Sequence, residues 1–241
     1  MIDFYGYITT MTWRVGIVLE ELGLDYRFTS INLGTGEQRG PEHTARNPMQ
    51  KVPVLIDDDP PGGGEPVSIF ESGAILVYLA EKTGRLMPTD PRERAEFHTW
   101  FFWIMNSYGS ALSWPGAMFH TDPKYRILNE TDYCEETYRF FTGASIRAHE
   151  QLDQRLAGRN FICGDYSIAD IATFGWVNAL VEFYAAGDIL GLSSYSNVQA
   201  WLERGLARPA VQRGLRIPAR PAWGRLRKRN LWSLPFLQHR F

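Results

Sequence analysis

The chain has 241 residues, enough for two small domains or one large one, and its 44% hydrophobic and 22% charged content describes a soluble globular protein. A net charge of −2 argues against bulk attraction to nucleic acid or to a membrane surface. No apolar run comes near the length of about 20 residues that spans a bilayer, and the first residues read as a strand with no signal-peptide pattern.

Residues 2–5 are a short buried strand, and 7–12 form a polar turn. A helix is predicted over 14–22, with Val15, Val18, Leu19 and Leu22 at i, i+3, i+4 and i+7 and Gly23 as its stop. Residues 25–33 are a second strand, and the strand–helix–strand order requires a parallel, right-handed crossover. A flexible loop over 34–40 and a short helix over 41–45 precede Asn47-Pro48. Two apolar runs, 50–56 and 67–72, read as adjacent strands joined by a segment dense in turn formers. Ser72 then opens a helical pattern with Ile75, Tyr78 and Leu79. This β-α-β-α-β-β-α order is a thioredoxin-like arrangement.

Residues 85–91 carry two prolines and read as a linker. Long helical patterns follow. The stretch 92–110 is aromatic-rich, with Phe97, Trp100, Phe101, Phe102, Trp103 and Tyr108, a stripe more typical of core than of a ligand site. Residues 113–123 read as a loop and 132–156 as a second long helix. Ser167 and Asp170 have capping-box spacing at the head of a central helix whose apolar face holds Ile168, Ile171, Ala172 and Gly175. A last helix is predicted over 197–207. Residues 211–241 form a basic tail interleaved with aromatic residues; the reading favoured is docking on the chain's own acidic body or on a second subunit, over nucleic acid.

The chemistry-bearing stretch is Gln50 to Ser72. Ser72 at a helix start can cap the helix, and the exposed N–H groups there attract an anion. Glu71 sets a carboxylate beside it, so the pair suits a ligand carrying both an ammonium and a carboxylate. Pro53 heads a strand, where its missing N–H is tolerated, and Val52 before it is pushed toward an extended conformation able to pair with an extended peptide. An edge strand followed by a capped helix is the plain alternative.

Lys51-Val52-Pro53-Val54-Leu55, followed by Phe70-Glu71-Ser72-Gly73-Ala74-Ile75-Leu76 and Tyr78-Leu79-Ala80-Glu81-Lys82-Thr83-Gly84, resembles the cytosolic glutathione transferases, nearest to the bacterial nu class and its fungal relatives with disulfide-bond oxidoreductase activity. The resemblance covers residues 1 to about 210. It implies a thioredoxin-like glutathione-binding domain over 1–84, a linker over 85–91, an all-helical domain over 92–210 and the tail beyond. It also implies a cis Pro53, Val52 paired with the cysteinyl unit of glutathione, Glu71 and Ser72 on the γ-glutamyl end, and Gln38 and Lys51 on the glycyl carboxylate. Thr9 matches the threonine that faces the sulfur and Thr10 the serine of theta-like relatives, and both are the catalytic candidates. Met11 stands where the pattern has an asparagine, a departure that removes a donor. Met11 and Arg14 are placed among the binding residues at the head of the first helix.

Glutathione is the implied co-substrate, with a small disulfide, a peroxide or a hydrophobic electrophile as second substrate. Tyr108, Trp114 and Trp176 are candidate liners of its pocket, and Arg126 or Arg139 candidates for an arginine reaching a partner subunit's site in a homodimer. Cys134 and Cys163 form neither a CxxC pair nor a metal spacing, no HExxH-like pair occurs, and a reducing cytosol is the simplest compartment. A binding or regulatory protein of the same fold, with little turnover, is the alternative that Met11 supports.

Overall fold

The computed structural model describes residues 1–118, 135–182, 184 and 186–218. The first half is built from β1 (Ile2–Gly6), α1 (Thr10–Leu22), β2 (Tyr26–Ser30), a 3-10 turn (Glu37–Arg39), α2 (Pro41–Arg46), β3 (Val54–Asp57), β4 (Val67–Phe70) and α3 (Ser72–Thr83). The sheet order is β2-β1-β3-β4. β1 runs parallel to β2 and antiparallel to β3, and β3 antiparallel to β4. This is the predicted thioredoxin-like order, with Phe4 and Leu55 buried among Ile17, Val18 and Ile75.

Helix α1 starts four residues earlier than its apolar periodicity suggests, because Thr9 caps it: its Oγ1 accepts from the Thr12 N–H. Gly23 ends it in the left-handed region at φ 67°, as a C′ glycine does. The β3–β4 hairpin is tied down by Asp57. Its carboxylate accepts from Tyr78 Oη at 2.6 Å and Lys82 Nζ at 2.5 Å, and both donors lie on α3.

The second half is helical: α4 (Pro91–Trp103), a π turn (Ile104–Tyr108), α5 (Gly109–Met118), α6 (Glu135–Leu156), α7 (Ile168–Glu182), a 3-10 turn (Leu192–Ser194), α8 (Ser196–Leu206) and α9 (Pro209–Gly214). Two expectations are corrected here. Residues 113–118, read as loop, continue α5; residues 119–134 lie outside the described ones. The tail read as starting at 211 is, through Gly214, part of a helix that packs on α1. Val211 and Leu215 are buried there, and Arg213 bonds Glu20 at 2.5 Å. Residues 219–241 lie outside the described ones.

The Ser167–Asp170 capping box forms as read. The Ser167 N–H and Oγ donate to Asp170 Oδ2 at 3.0 and 3.2 Å, and Ser167 Oγ accepts from the Ala169 N–H. Asp170 Oδ1 also accepts from the Ile162 N–H and Trp201 Nε1, tying the start of α7 to α8. The aromatic stripe is partly core: Phe97, Phe101 and Tyr108 are buried, but Phe102 is 63% exposed. Tyr108, offered as a pocket liner, is buried with its hydroxyl 3.3 Å from His149 Nε2, so it lines no cleft; Trp176 is also buried. The side chain of Trp114, Cys134 and Arg126 lie outside what is described.

No helix among the described residues is long and apolar enough to cross a membrane, and among them no group of three His, Cys, Asp or Glu is placed to hold a metal ion.

Candidate active site

The register of the sheet assembles the site. Tyr5 pairs with Val54, and Val54 with Phe70. The end of β1, the start of β3 and the end of β4 therefore share one edge. Past that edge come the turn to Thr9, the Val52–Pro53 peptide and Glu71. Residues far apart in sequence meet because β3 runs against both its neighbours.

The Val52–Pro53 peptide is cis. β3 begins at Val54, so Val52 lies outside both ladders and the sheet does not use its backbone groups. The segment before it is fixed from below. The carbonyl of Lys51 accepts from His43 Nε2 and Asn47 Nδ2, both at 2.9 Å, and His43 and Asn47 are buried. The Lys51 side chain is exposed. Neither His43 nor Asn47 carries a periodic signal in the sequence; Asn47-Pro48 reads only as a turn.

Glu71 occupies the N-cap position of α3 at φ 68° and ψ 113°, a region costly for any residue but glycine, and makes no side-chain capping bond. Ser72 is the first helical residue, so its expected role as the cap is corrected: with the cap position already filled by Glu71, its hydroxyl turns inward. Ser72 Oγ accepts from Arg14 Nη1 at 3.3 Å and lies 3.5 Å from Met11 Sδ, to which it donates. Ser72 is buried and Glu71 exposed, which puts a carboxylate at the rim and a hydroxyl at the floor.

Thr9 is half-buried, and its Oγ1 lies 3.0 Å from Thr12 Oγ1, which accepts from the Tyr7 N–H at 3.1 Å. Thr10 is buried, with its carbonyl side packed so close to α7 that a Cβ on Gly175 would lie 3.1 Å from the Thr10 oxygen. Of the two hydroxyls, Thr9 is therefore the more accessible. No acidic residue occupies the first turn of α1, so nothing there offsets the partial positive charge of the helix N-terminus.

Gln38 lies in the 3-10 turn, with Oε1 buried and without a hydrogen-bond partner. Tyr5 is half-buried on the other face of the sheet from Phe4, with the Arg46 guanidinium 4.3 Å over its ring. Arg139 pairs with Glu135 on its own helix. Cys163 is unpaired and sits in the helical half; burial pushes its thiol up to about 12, which makes it a poor nucleophile. Met105, at the π turn, is the contact that sequence reading missed. Its sulfur lies 3.3 Å from Arg14 Nη1, brought there by a π turn that periodicity does not announce.

The family model of the glutathione S-transferase N-terminal domain matches residues 2–81, and a relative 38% identical over 89% of this chain carries the match through the helical half. The chain belongs to the glutathione S-transferase family. That relative is the disulfide-bond oxidoreductase YfcG of Escherichia coli strain K12, of which 94% is covered. Among solved structures, the glutathione transferase of Burkholderia graminis, determined with two glutathione molecules per subunit, superposes with a TM-score of 0.84 at 39% identity, covering 91% of this chain and 89% of that one. The glutathione transferase of Pseudomonas putida, determined with one glutathione disulfide per subunit, gives 0.82 at 37% identity, covering 90% and 91%.

Proposed function

We propose that the protein is a glutathione-dependent thiol–disulfide oxidoreductase, with peroxide reduction and conjugation to an electrophile as side activities of the same activated thiol. The observation that carries this reading is the meeting, at one sheet edge, of the Thr9-capped start of α1, the cis Val52–Pro53 peptide and the Glu71–Ser72 pair. Relatives solved with glutathione or glutathione disulfide support it.

In this reading the backbone of Val52 pairs with the cysteinyl unit, Glu71 takes the ammonium and Ser72 the α-carboxylate of the γ-glutamyl end, and Gln38 and Lys51 hold the glycyl end. The sulfur lies at Thr9. A free thiol titrates near ~8.5, so activation must lower that value. The helix N-terminus contributes positive potential, and Thr9 a donor. With Thr12 donating to Thr9, the Thr9 oxygen accepts two hydrogen bonds and its own proton is available to a thiolate. The thiolate attacks one sulfur of a disulfide, an S–S bond forms as another breaks, and the departing thiolate takes up a proton. A second glutathione attacks the mixed disulfide, giving glutathione disulfide and the second thiol. The two-domain division at 85–91, the homodimer, nu-class membership and the cytoplasmic location are proposals on the same footing.

Met11 favours one further reading, a binding protein of low turnover, because its thioether offers no donor to the sulfur. Turnover with hydroxyethyl disulfide and with a halonitrobenzene decides between them. We expect disulfide reduction that falls about tenfold in Thr9→Val and is largely kept in Thr9→Ser, in line with the loss of one charge-assisted hydrogen bond. Saturable glutathione binding without turnover on either substrate would establish the binding-protein reading instead.

A further inference from the structure

His43 is 2% exposed and Asn47 1%. Both side chains end on one atom, the Lys51 carbonyl oxygen, with His43 Nε2 and Asn47 Nδ2 each 2.9 Å from it. The partner fixes the tautomer. A carbonyl only accepts, so Nε2 carries the proton and Nδ1 is a bare lone pair. Nδ1 is buried without a partner. Asn47 is oriented in the same way: its Oδ1 accepts from the Met49 N–H at 2.9 Å, which leaves Nδ2 as the donor.

Asn47 alone satisfies the carbonyl. Through backbone bonds to His43 and Gln50 it also closes the turn that follows α2. A phenyl ring at position 43 would fill similar space and strand no nitrogen. The fold therefore gains little from a histidine, since a buried polar atom without a partner is costly. What the imidazole adds is a second donor, which occupies the remaining lone pair of the Lys51 oxygen.

Two donors on one carbonyl fix a peptide plane. The Lys51–Val52 peptide is trans, so its N–H points opposite to its C=O. With the oxygen held against α2, the Val52 N–H faces away from that helix. Among the described residues it has no hydrogen-bond partner.

We propose that His43 is a positioning residue for the cysteinyl unit of glutathione: with Asn47 it clamps the Lys51 carbonyl and so aims the Val52 N–H at the cysteinyl carbonyl. This rests on the reading of Val52 as the residue that pairs with the cysteinyl unit. It puts part of the binding determinant on α2, in a ring that does not itself meet the ligand.

Titration calorimetry on the full chain tests it with two ligands. One is glutathione. The other is its isostere with a trans alkene in place of the cysteinyl–glycine amide, which keeps the extended shape and lacks the cysteinyl carbonyl. The wild-type protein is expected to prefer glutathione. His43→Phe should weaken glutathione binding about threefold to tenfold, the range of one neutral hydrogen bond, and leave the isostere's affinity unchanged. His43→Gln sets an amide nitrogen where Nε2 stands and should keep most of the wild-type affinity. His43→Asn, whose shorter amide reaches only the place of Nδ1, should not. Should His43→Phe not fold, the glutamine and asparagine variants carry the same test. Equal weakening of both ligands in His43→Phe or His43→Asn would show a merely structural histidine and overturn the proposal, as would a folded variant with an unchanged preference. A wild-type protein that binds both ligands alike would instead bring down the pairing of Val52 with the cysteinyl unit, and the role of His43 with it.

Discussion

Glu71 holds a left-sided backbone at φ 68° without being a glycine. Such a conformation costs about 1–3 kcal/mol and persists where the surroundings impose it. Here β4 ends at Phe70 and α3 begins at Ser72, so one residue turns the chain from strand to helix. The turn leaves the Glu71 carboxylate exposed at the rim, without a capping bond and with its charge free for a ligand. Glu71→Gln keeps the shape and removes the charge. Glutathione affinity should fall about tenfold or more, in the range of one charge-assisted contact, while Tm scarcely changes. Turnover at saturating glutathione should survive, because the contact is uniform binding. An unaltered affinity in the folded variant would show that Glu71 only shapes the turn. At this scale the sequence placed Glu71 and Ser72 side by side at a helix start. It exchanged their roles at the cap, because the choice of cap depends on a φ angle that residue type does not reveal.

Among the elements, α6 carries a titratable group that no function claims. His149 is buried, its Nδ1–H donating to the Ser145 carbonyl at 2.8 Å while Nε2 accepts from the Tyr108 hydroxyl, and it stacks on Tyr195. Desolvation lowers its pKa from 6.5 to about 4. The folded state therefore binds the proton less readily than the unfolded one. Stability from this group is complete above pH 6.5 and is lost as pH falls through about 4. The loss is of order 3 kcal/mol at most. His149→Gln should flatten the acid slope of unfolding free energy between pH 6.5 and 4, read by urea titration as the difference between variant and wild type. Taking the difference cancels the opposite contribution of Asp170, whose pKa burial raises to about 6. A parallel slope in both proteins would mean that His149 is protonated in the folded state. The capping box that holds Asp170 was legible, since its signal is local: a serine, a carboxylate three residues on and an apolar run. The π turn at Ile104–Tyr108 was not, because it only shifts the phase of a helix that the aromatic pattern already predicted.

For the molecule as a whole, α1 is the shared wall. It packs on α3 within the sheet-bearing half and on α7 and α9 of the helical half. Glu21 on α1 accepts from Arg208 at 2.6 and 2.8 Å and from the Tyr166 hydroxyl at 3.1 Å, and Arg208 lies 3.8 Å over the Tyr166 ring. The closest approach is glycine against helix. A Cβ on Gly214 would fall 2.4 Å from the backbone of Ile17, and one on Gly16 3.0 Å from the Gly214 carbonyl. Backbone cannot give way as a side chain can, so Gly214→Ala must push α9 off α1. The expected cost is about 1–3 kcal/mol or more, the range for overpacking. Because α1 also carries Thr9 and Arg14, glutathione affinity should drop together with the denaturation midpoint. A Gly214→Ala protein that lost stability alone would show that α9 braces the fold without bearing on the site.

The sequence by itself determined the order of elements, the division of character between a strand-and-helix half and an all-helical half, the cis proline through its family pattern, and the residue types of the site. Those depend on local periodicity, on turn chemistry and on short runs that stay contiguous in the chain. The tertiary structure alone decided which neighbours each site residue has. Residues 14 and 72 meet across 58 positions, and 14 and 105 across 91. It also turned the first part of the basic tail into a helix seated on α1 and made Tyr108 core instead of pocket wall. The physical reason is the same in each case: burial and hydrogen-bond partnership belong to pairs of residues in space, and periodicity states only that a face is apolar, never what covers it.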